Sequence, residues 1–345
     1  MAAIPELKRK TCTYNFYRKP LTSLEELGNL VTDRNQKVFD DQYGDILALL
    51  KMVVDPVPLQ TLLQFYDPEL RCFTFQDYQL APTLEEYSIL MNVRIKNRVP
   101  FLDVPKEVDF KVVAKALYLS IKEVSDNWKP SGDVVGLSLK FLVRMAKEEA
   151  KKGNWVAFNA QLAVMIYGVV LFPSMPSFVD LAVITIFIGG NSVPTLLADT
   201  CYVIHSRRGK SGAIRINVRN VIMSCGEFRN VPLIGTRGCI NYNPVLSPCQ
   251  LGFVMNERPQ DVEIAESVYF EKRSDPARLE QVGKAWENIG IKDGSVLGRK
   301  FAIAMPAYTE WVKERVETLL LPYDRMEPLQ EQPPLILSER VPAEY

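Results

Sequence analysis

A mainly helical fold with a few short strands, built as a compact multi-helix array, is what this sequence predicts, and three observations carry the prediction. Apolar residues recur at helical spacing in most segments, proline or glycine stops nearly every such run, and cap signatures open several of them. With 345 residues, 47% of them hydrophobic and 24% charged, the chain can bury a full core. The expected organisation is an N-terminal arm over 1–22, one helical domain over 23–321, and a proline-rich disordered tail over 322–345.

The arm is polar and basic (LKRK, FYRKP) and lacks the apolar stretch of a targeting peptide. Ser23 and Glu26 have the spacing of a capping box, opening a helix with Leu24, Leu27, Leu30 and Val31 inward. Phe39, Tyr43, Ile46, Leu47, Leu50 and Val53 form the next stripe, closed at Asp55 and Pro56. A shorter one, Leu59, Leu62, Leu63 and Tyr66, is closed at Asp67 and Pro68. Phe73 and Phe75 then read as a short strand. Thr83 caps a helix, Glu86 reaches back to the Thr83 amide, and Leu84, Tyr87, Leu90 and Met91 share the inward face.

After a basic link at Arg94, Lys96 and Arg98, helices are expected over about Val108–Val124 and Leu137–Lys151. The most apolar part runs from Trp155 to Phe172 and resumes from Phe178 to Ile188. A membrane span needs about twenty continuous apolar residues, whereas Asn159 and Gln161 interrupt the first run and Asp180 and Thr185 lie in the second. Two buried central helices with a corner at Pro173 and Pro176 are the better account, so no membrane partner is expected. Gly189 and Gly190 end the second, and Ser192 with Pro194 starts another bearing Leu196, Leu197, Cys201 and Ile204. Val221–Met223 is a strand candidate, and the Gly-, Pro- and Asn-rich stretch from Ser224 to Phe253 reads as a long loop. Asp275 with Pro276, and later Pro306, open two closing helices that carry Leu279, Val282, Trp286 and Ile289, then Tyr308, Trp311, Val312, Arg315 and Leu319.

Composition excludes more than it identifies. Lys plus Arg and Asp plus Glu both number 41, so no global charge draws the chain to nucleic acid or an anionic membrane. Six cysteines are spaced too irregularly for a zinc module, and without a signal peptide they read as reduced thiols in a nuclear or cytoplasmic setting. The single histidine, His205, removes histidine-rich metal sites and reads as a helix-end residue. Adjacent carboxylates at Asp40 and Asp41, Glu85 and Glu86, and Glu148 and Glu149 point to different sides of their helices and cannot act as a pair. Gly209, Lys210 and Ser211 mimic the end of a P-loop, but Ile204 stands where its first glycine is needed.

Two local features remain as binding candidates. Arg207, Arg208, Lys210, Arg215 and Arg219 lie in a stretch with no acidic residue between Thr200 and Gly226. Clustered cations of this kind could contact a phosphate backbone; no aromatic residue interleaves them to stack bases, and a solvated loop is the alternative. In the following loop Arg229, Arg237, Asn241 and Asn243 are the polar candidates, while Leu233, Ile234, Ile240 and Tyr242 read as its anchors to the core.

The stretch FTFQDYQLAPTLEEYS resembles the hallmark of an uncharacterised legume domain family related to the plant mobile domain, also labelled aminotransferase-like. Further resemblance lies at NWVAFNAQLAVMIYGVVLFPSMPSFVDLAVITIF, VPTLLADTCYVIH, SCGEFRNVPLIGTRGCINYNPVLSPCQLGF and AYTEWVKERV. The chain departs from the pattern between Gly212 and Ile222, where the family carries a longer insert with an aromatic helix. The resemblance implies a transposon-associated or domesticated plant protein acting as a non-catalytic, nuclear protein-interaction module. A nucleic-acid-binding protein using 207–219 is the alternative, and an enzyme the least supported reading. The aminotransferase-like label would call for a Schiff-base lysine and a phosphate cradle; neither occurs in recognisable context, so no cofactor or metal is expected.

Overall fold

The computed structural model of the chain describes residues 21–52, 55–96, 98–208, 231–237, 239–242, 244–260, 276–287 and 297–319. Over these residues the fold is mainly helical with three small sheets. Helix α1 (Thr22–Gly28) buries Leu24 and Leu27. It starts behind Leu21 with no side-chain cap, so the expected box of Ser23 and Glu26 does not form; Glu26 pairs instead with Lys147 at 3.0 Å. Leu30, expected inside, lies beyond the helix end and is exposed.

The helix expected over Phe39–Val53 is broken. Helix α2 (Asp33–Tyr43) stops at Gly44, and a 3-10 turn (Asp45–Leu47) and helix α3 (Ala48–Lys51) follow. Gly44 has φ +79°, and a Cβ there would stand 2.2 Å from the Met91 carbonyl oxygen. Only glycine allows both the turn and the approach. Helix α4 (Pro56–Gln64) is capped by Asp55, whose carboxylate accepts the Val57 amide at 3.0 Å. Tyr66, assigned to this helix by spacing, instead begins a strand.

Strands β1 (Tyr66–Asp67), β2 (Cys72–Thr74) and β3 (Gln79–Leu80) form an antiparallel sheet that pairs Tyr66 with Phe73 and Phe73 with Leu80. Helix α5 (Leu84–Met91) follows with the predicted capping box: the Glu86 amide donates to Thr83 Oγ1 at 3.1 Å and the Thr83 amide to Glu86 Oε2 at 3.2 Å. Leu84 and Met91 are buried, but Leu90 is 74% exposed, contrary to expectation. At about 100° per residue Leu90 stands a quarter-turn or more from the line joining Leu84 and Met91.

This sheet and helix gather distant segments. Tyr308 Oη donates to Gln79 Oε1 at 2.9 Å, and Gln250 bonds both the amide and the carbonyl of Ala81. Tyr242 Oη donates to Glu85 Oε2 at 2.7 Å while accepting the Leu84 amide at 3.2 Å. Arg315 holds Asp67 through two nitrogens. The stretch that the helix signals single out is thus tied to residues more than 150 positions away.

Helices α6 (Phe110–Leu117) and α7 (Ile121–Asn127) replace the single helix expected over Val108–Val124. Tyr118 adopts φ +54° at the break, and a capping box of Ser120 and Glu123 opens the second helix. Strands β4 (Lys129–Ser131) and β5 (Val134–Ser138) precede helix α8 (Leu139–Lys152), and β5 lies between β4 and β6 (Phe178–Asp180). Gly136 is required in β5, because a Cβ there would come within 2.2 Å of the Val179 carbonyl oxygen. Helix α9 (Trp155–Ile166) is buried continuously from Ala157, and a π turn (Tyr167–Leu171) carries it to the corner. Helix α10 (Leu181–Gly189) is capped by Asp180, and α11 (Val193–Arg208) follows. Asn191, between them, bonds the backbone of Lys96 and Arg98 and so fixes the basic link.

Where a loop was expected, β7 (Val231–Ile234) and β8 (Cys239–Tyr242) form an antiparallel hairpin. Its anchors Leu233, Ile234, Ile240 and Tyr242 are buried as predicted. Helix α12 (Pro276–Glu287) adds Val282 and Trp286 to an apolar cluster that begins at Leu24, and α13 (Pro306–Leu319) buries Tyr308 and Val312. Among the described residues no single helix is long and apolar enough to cross a membrane. The strand candidate Val221–Met223, the tail and residues 1–20 of the arm lie outside the described residues.

Candidate functional site

The residues singled out by the sequence are only partly placed. Arg207 and Arg208 close α11, and Lys210, Arg215, Arg219, Arg229 and Asn243 lie outside the described residues. Asn241 pairs with Pro232 in the β7–β8 hairpin. Arg237 is exposed and donates through Nη2 to the Pro173 carbonyl at 2.6 Å, so its guanidinium tethers the hairpin turn to the corner between α9 and α10. The same turn is held from inside: Asp199 on α11 accepts the Thr236 amide at 2.7 Å and the Thr236 hydroxyl at 2.6 Å. Burial raises the Asp199 carboxyl above the ordinary aspartate range, against the opposing effect of those bonds and of Arg237.

Chemistry-bearing groups elsewhere are held in structural roles. Burial pushes the Cys72 thiol up to about 12 and the Cys201 thiol to about 11, so both are protonated at neutral pH and are poor nucleophiles. Glu85 and Glu86 point to different partners, Tyr242 and Thr83, as their adjacent helix positions require. Among the described residues no group of three or more His, Cys, Asp or Glu side chains is placed to hold a metal ion.

The exposed apolar surface has one concentrated stretch that sequence reasoning did not mark. Residues 300–305 meet residues 252–255 in two bridges, antiparallel at Lys300 and parallel at Ala304, with a turn between them at Ala302, whose φ is +46°. Phe301 donates its amide to the Gly252 carbonyl at 2.8 Å, Met255 to Ile303 at 2.8 Å, and Met305 to Met255 at 2.8 Å. Because Ile303 O and Met305 N face Met255, the amide and carbonyl of Ala304 face away from it. Neither has a hydrogen-bond partner among the described residues. Phe301 is 62% exposed, Ile303 44% and Met305 43%. Beneath this edge Met255, Tyr308 and Val312 form a small buried cluster, so the segment rests on a packed base. Alternating large and small apolar residues (FAIAM) read locally as a buried strand, and only the tertiary arrangement leaves them outside. A second exposed pair, Ile89 and Leu90, ends α5.

Comparison with known proteins yields one match. A family model described as a domain of unknown function (DUF7745) matches residues 24–216 and 212–317. The two matched segments overlap at 212–216. No curated protein and no solved structure matches the chain.

Proposed function

We propose that this chain, which belongs to the DUF7745 family of domains of unknown function, is a non-catalytic protein-interaction module that receives an extended segment of a partner along residues 303–305, with Phe301 beside it. The observation that carries the reading is the pairing of three exposed apolar side chains, Phe301, Ile303 and Met305, with an unengaged backbone edge at Ala304. An incoming strand satisfies that edge with its own backbone and covers the apolar side chains with its own, which is how edge addition obtains affinity and specificity together. The partner chemistry that fits is an extended, uncharged segment with apolar residues at alternate positions. Kinship with the plant mobile domain, a transposon-derived origin and a nuclear setting belong to the same proposal and rest on the sequence motifs.

The test is affinity purification of the tagged chain from nuclease-treated plant nuclear extract. It is made beside a Phe301→Ser/Ile303→Ser variant and a variant with Arg207, Arg208, Lys210, Arg215 and Arg219 all changed to Ser. A photo-crosslinker at Ala304 identifies the segment in contact. The expected result is a stoichiometric protein cross-linked through an extended apolar segment, lost in the Phe301/Ile303 variant and kept in the basic-residue variant. Recovery that ignores the Phe301/Ile303 change refutes the docking edge. Nucleic acid recovered without nuclease and lost in the basic-residue variant moves the assignment to nucleic-acid binding.

A further inference from the structure

A narrow cleft lies where the β1–β2 turn, the residues before α5, helix α11 and strand β8 meet. Leu70, Pro82, Leu197, Ile240 and Leu246 supply apolar walls, and Arg71, Cys201, Tyr242 and Ser247 also line it. It leaves about 30 Å³ in which the centres of water-sized groups can sit. A single water needs about 10–15 Å³ on that measure, so the space exceeds one water and suits a three-atom head group.

Arg71 is the unusual member. It closes the β1–β2 turn with its amide on the Asp67 carbonyl at 2.7 Å and with φ +56°, a left-handed backbone that favours glycine or asparagine. A long charged residue in that conformation costs conformational energy, which calls for a compensating use of the side chain. Yet Arg71 Nη1 is fully removed from solvent with no hydrogen-bond partner among the described residues. Four carboxylates of residues 67–86 are engaged elsewhere. Asp67 and Glu69 are taken by Arg315, Glu85 by Tyr242, and Glu86 by Thr83 and Gln250. Arg71 as a whole is half-buried, but a buried N–H of a cation left without an acceptor is costly and favours an anion beside it.

The geometry points to a binding site for the smallest monocarboxylates, with Arg71 on the carboxylate and the apolar walls of the cleft around it. The charge argues for a monoanion: Arg71 is the one cationic side chain lining the cleft among the described residues, and a phosphate dianion would remain half-neutralised there. Arginine rather than lysine suits the assignment because its planar fork matches a carboxylate. The site is independent of the proposed docking edge and stands or falls without it.

The test uses the full chain with formate and acetate as probes, followed by ligand-observed NMR and by thermal melting, against sodium chloride and sodium phosphate at equal ionic strength. Saturable binding of both carboxylates by the wild-type chain is expected, with a matching rise in Tm. Arg71→Met, which keeps the apolar stem, should weaken the carboxylate Kd by about tenfold or more, a difference of about 1.4 kcal/mol or greater. Should that variant fail to fold, Arg71→Lys takes its place and should also weaken binding. No saturable binding in the wild-type chain, as expected of a cleft holding only water, overturns the proposal. So does binding unchanged by substitution at Arg71, or tighter binding of phosphate than of carboxylate.

Discussion

Replacing Arg315 by Met tests whether the last described helix is held to the first sheet by a buried charge pair. Arg315 Nε lies 2.8 Å from Asp67 Oδ2 and Nη2 lies 3.0 Å from Asp67 Oδ1, with Glu69 Oε2 at 2.6 Å from the same nitrogen. The Asp67 side chain is 0% exposed and that of Arg315 17%, whereas Glu69 is 65% exposed and adds little. Loss of the guanidinium leaves Asp67 with only the amides of Glu69 and Leu70 as donors from the turn. Stripping a buried carboxylate of its charged partner costs about 3–5 kcal/mol. At about 2–4 °C per kcal/mol for a domain of this size, Tm should fall by roughly 10 °C. Adding Asp67→Asn removes the stranded charge, so the double variant should melt above Arg315→Met. Circular dichroism melts at pH 7 read both effects, and the wild-type value should change little with added salt because the pair is screened from it. An Arg315→Met variant melting within about 2 °C of wild type, against the loss expected of a buried pair, refutes the reasoning. So does a double variant no more stable than the single one.

Three further outcomes are expected. Asn159 is buried in α9 with both amide atoms unpartnered among the described residues. Asn159→Leu should therefore stabilise by about 1–3 kcal/mol in urea titrations, and destabilisation would show that the amide is satisfied after all. Gly136→Ala should cost about 1–3 kcal/mol, since its Cβ meets backbone at Val179 and Asp180 and parts β5 from β6; an unchanged urea midpoint would contradict that contact. Asp199 has a raised carboxyl pKa, so the folded chain binds more protons there than the unfolded chain and stability falls as pH rises through that range. Asp199→Asn, which retains an acceptor for the Thr236 amide, should gain on wild type between pH 4 and pH 8 in paired melts; a difference that does not vary with pH would exclude the linkage.

Local signals were legible where the physics is local. The capping box at Thr83 and Glu86, the glycine stop after α10 and the proline starts of α12 and α13 all involve neighbours in sequence. The box at Ser23 and Glu26 shows the limit. Its residues are correctly spaced, but Glu26 finds Lys147, 121 positions away, and the helix begins without it. Breaks at Gly44 and Tyr118 were hidden for a related reason. A stripe of apolar residues continues across each, and the requirement for a turn comes from what packs against it, Met91 in the first case.

The two binding candidates were illegible because both depend on partners being used elsewhere. Phe301, Ile303 and Met305 are apolar in the manner of core residues, and their exposure follows from the turn at Ala302 and from Met255 bonding only one side of residues 303–305. Arg71 is one arginine among many in sequence. In the fold, the bonds that draw distant segments onto residues 67–86 engage carboxylates of that stretch, Asp67 with Arg315, Glu85 with Tyr242 and Glu86 with Gln250, while Arg71 Nη1 has no acceptor among the described residues. Arg71 thus keeps one buried N–H group without an acceptor beside the cleft that it helps to line. An unmatched charge at such a junction couples occupancy to assembly. An anion that binds only the folded chain must stabilise these contacts in proportion to the logarithm of its concentration once the site is saturated.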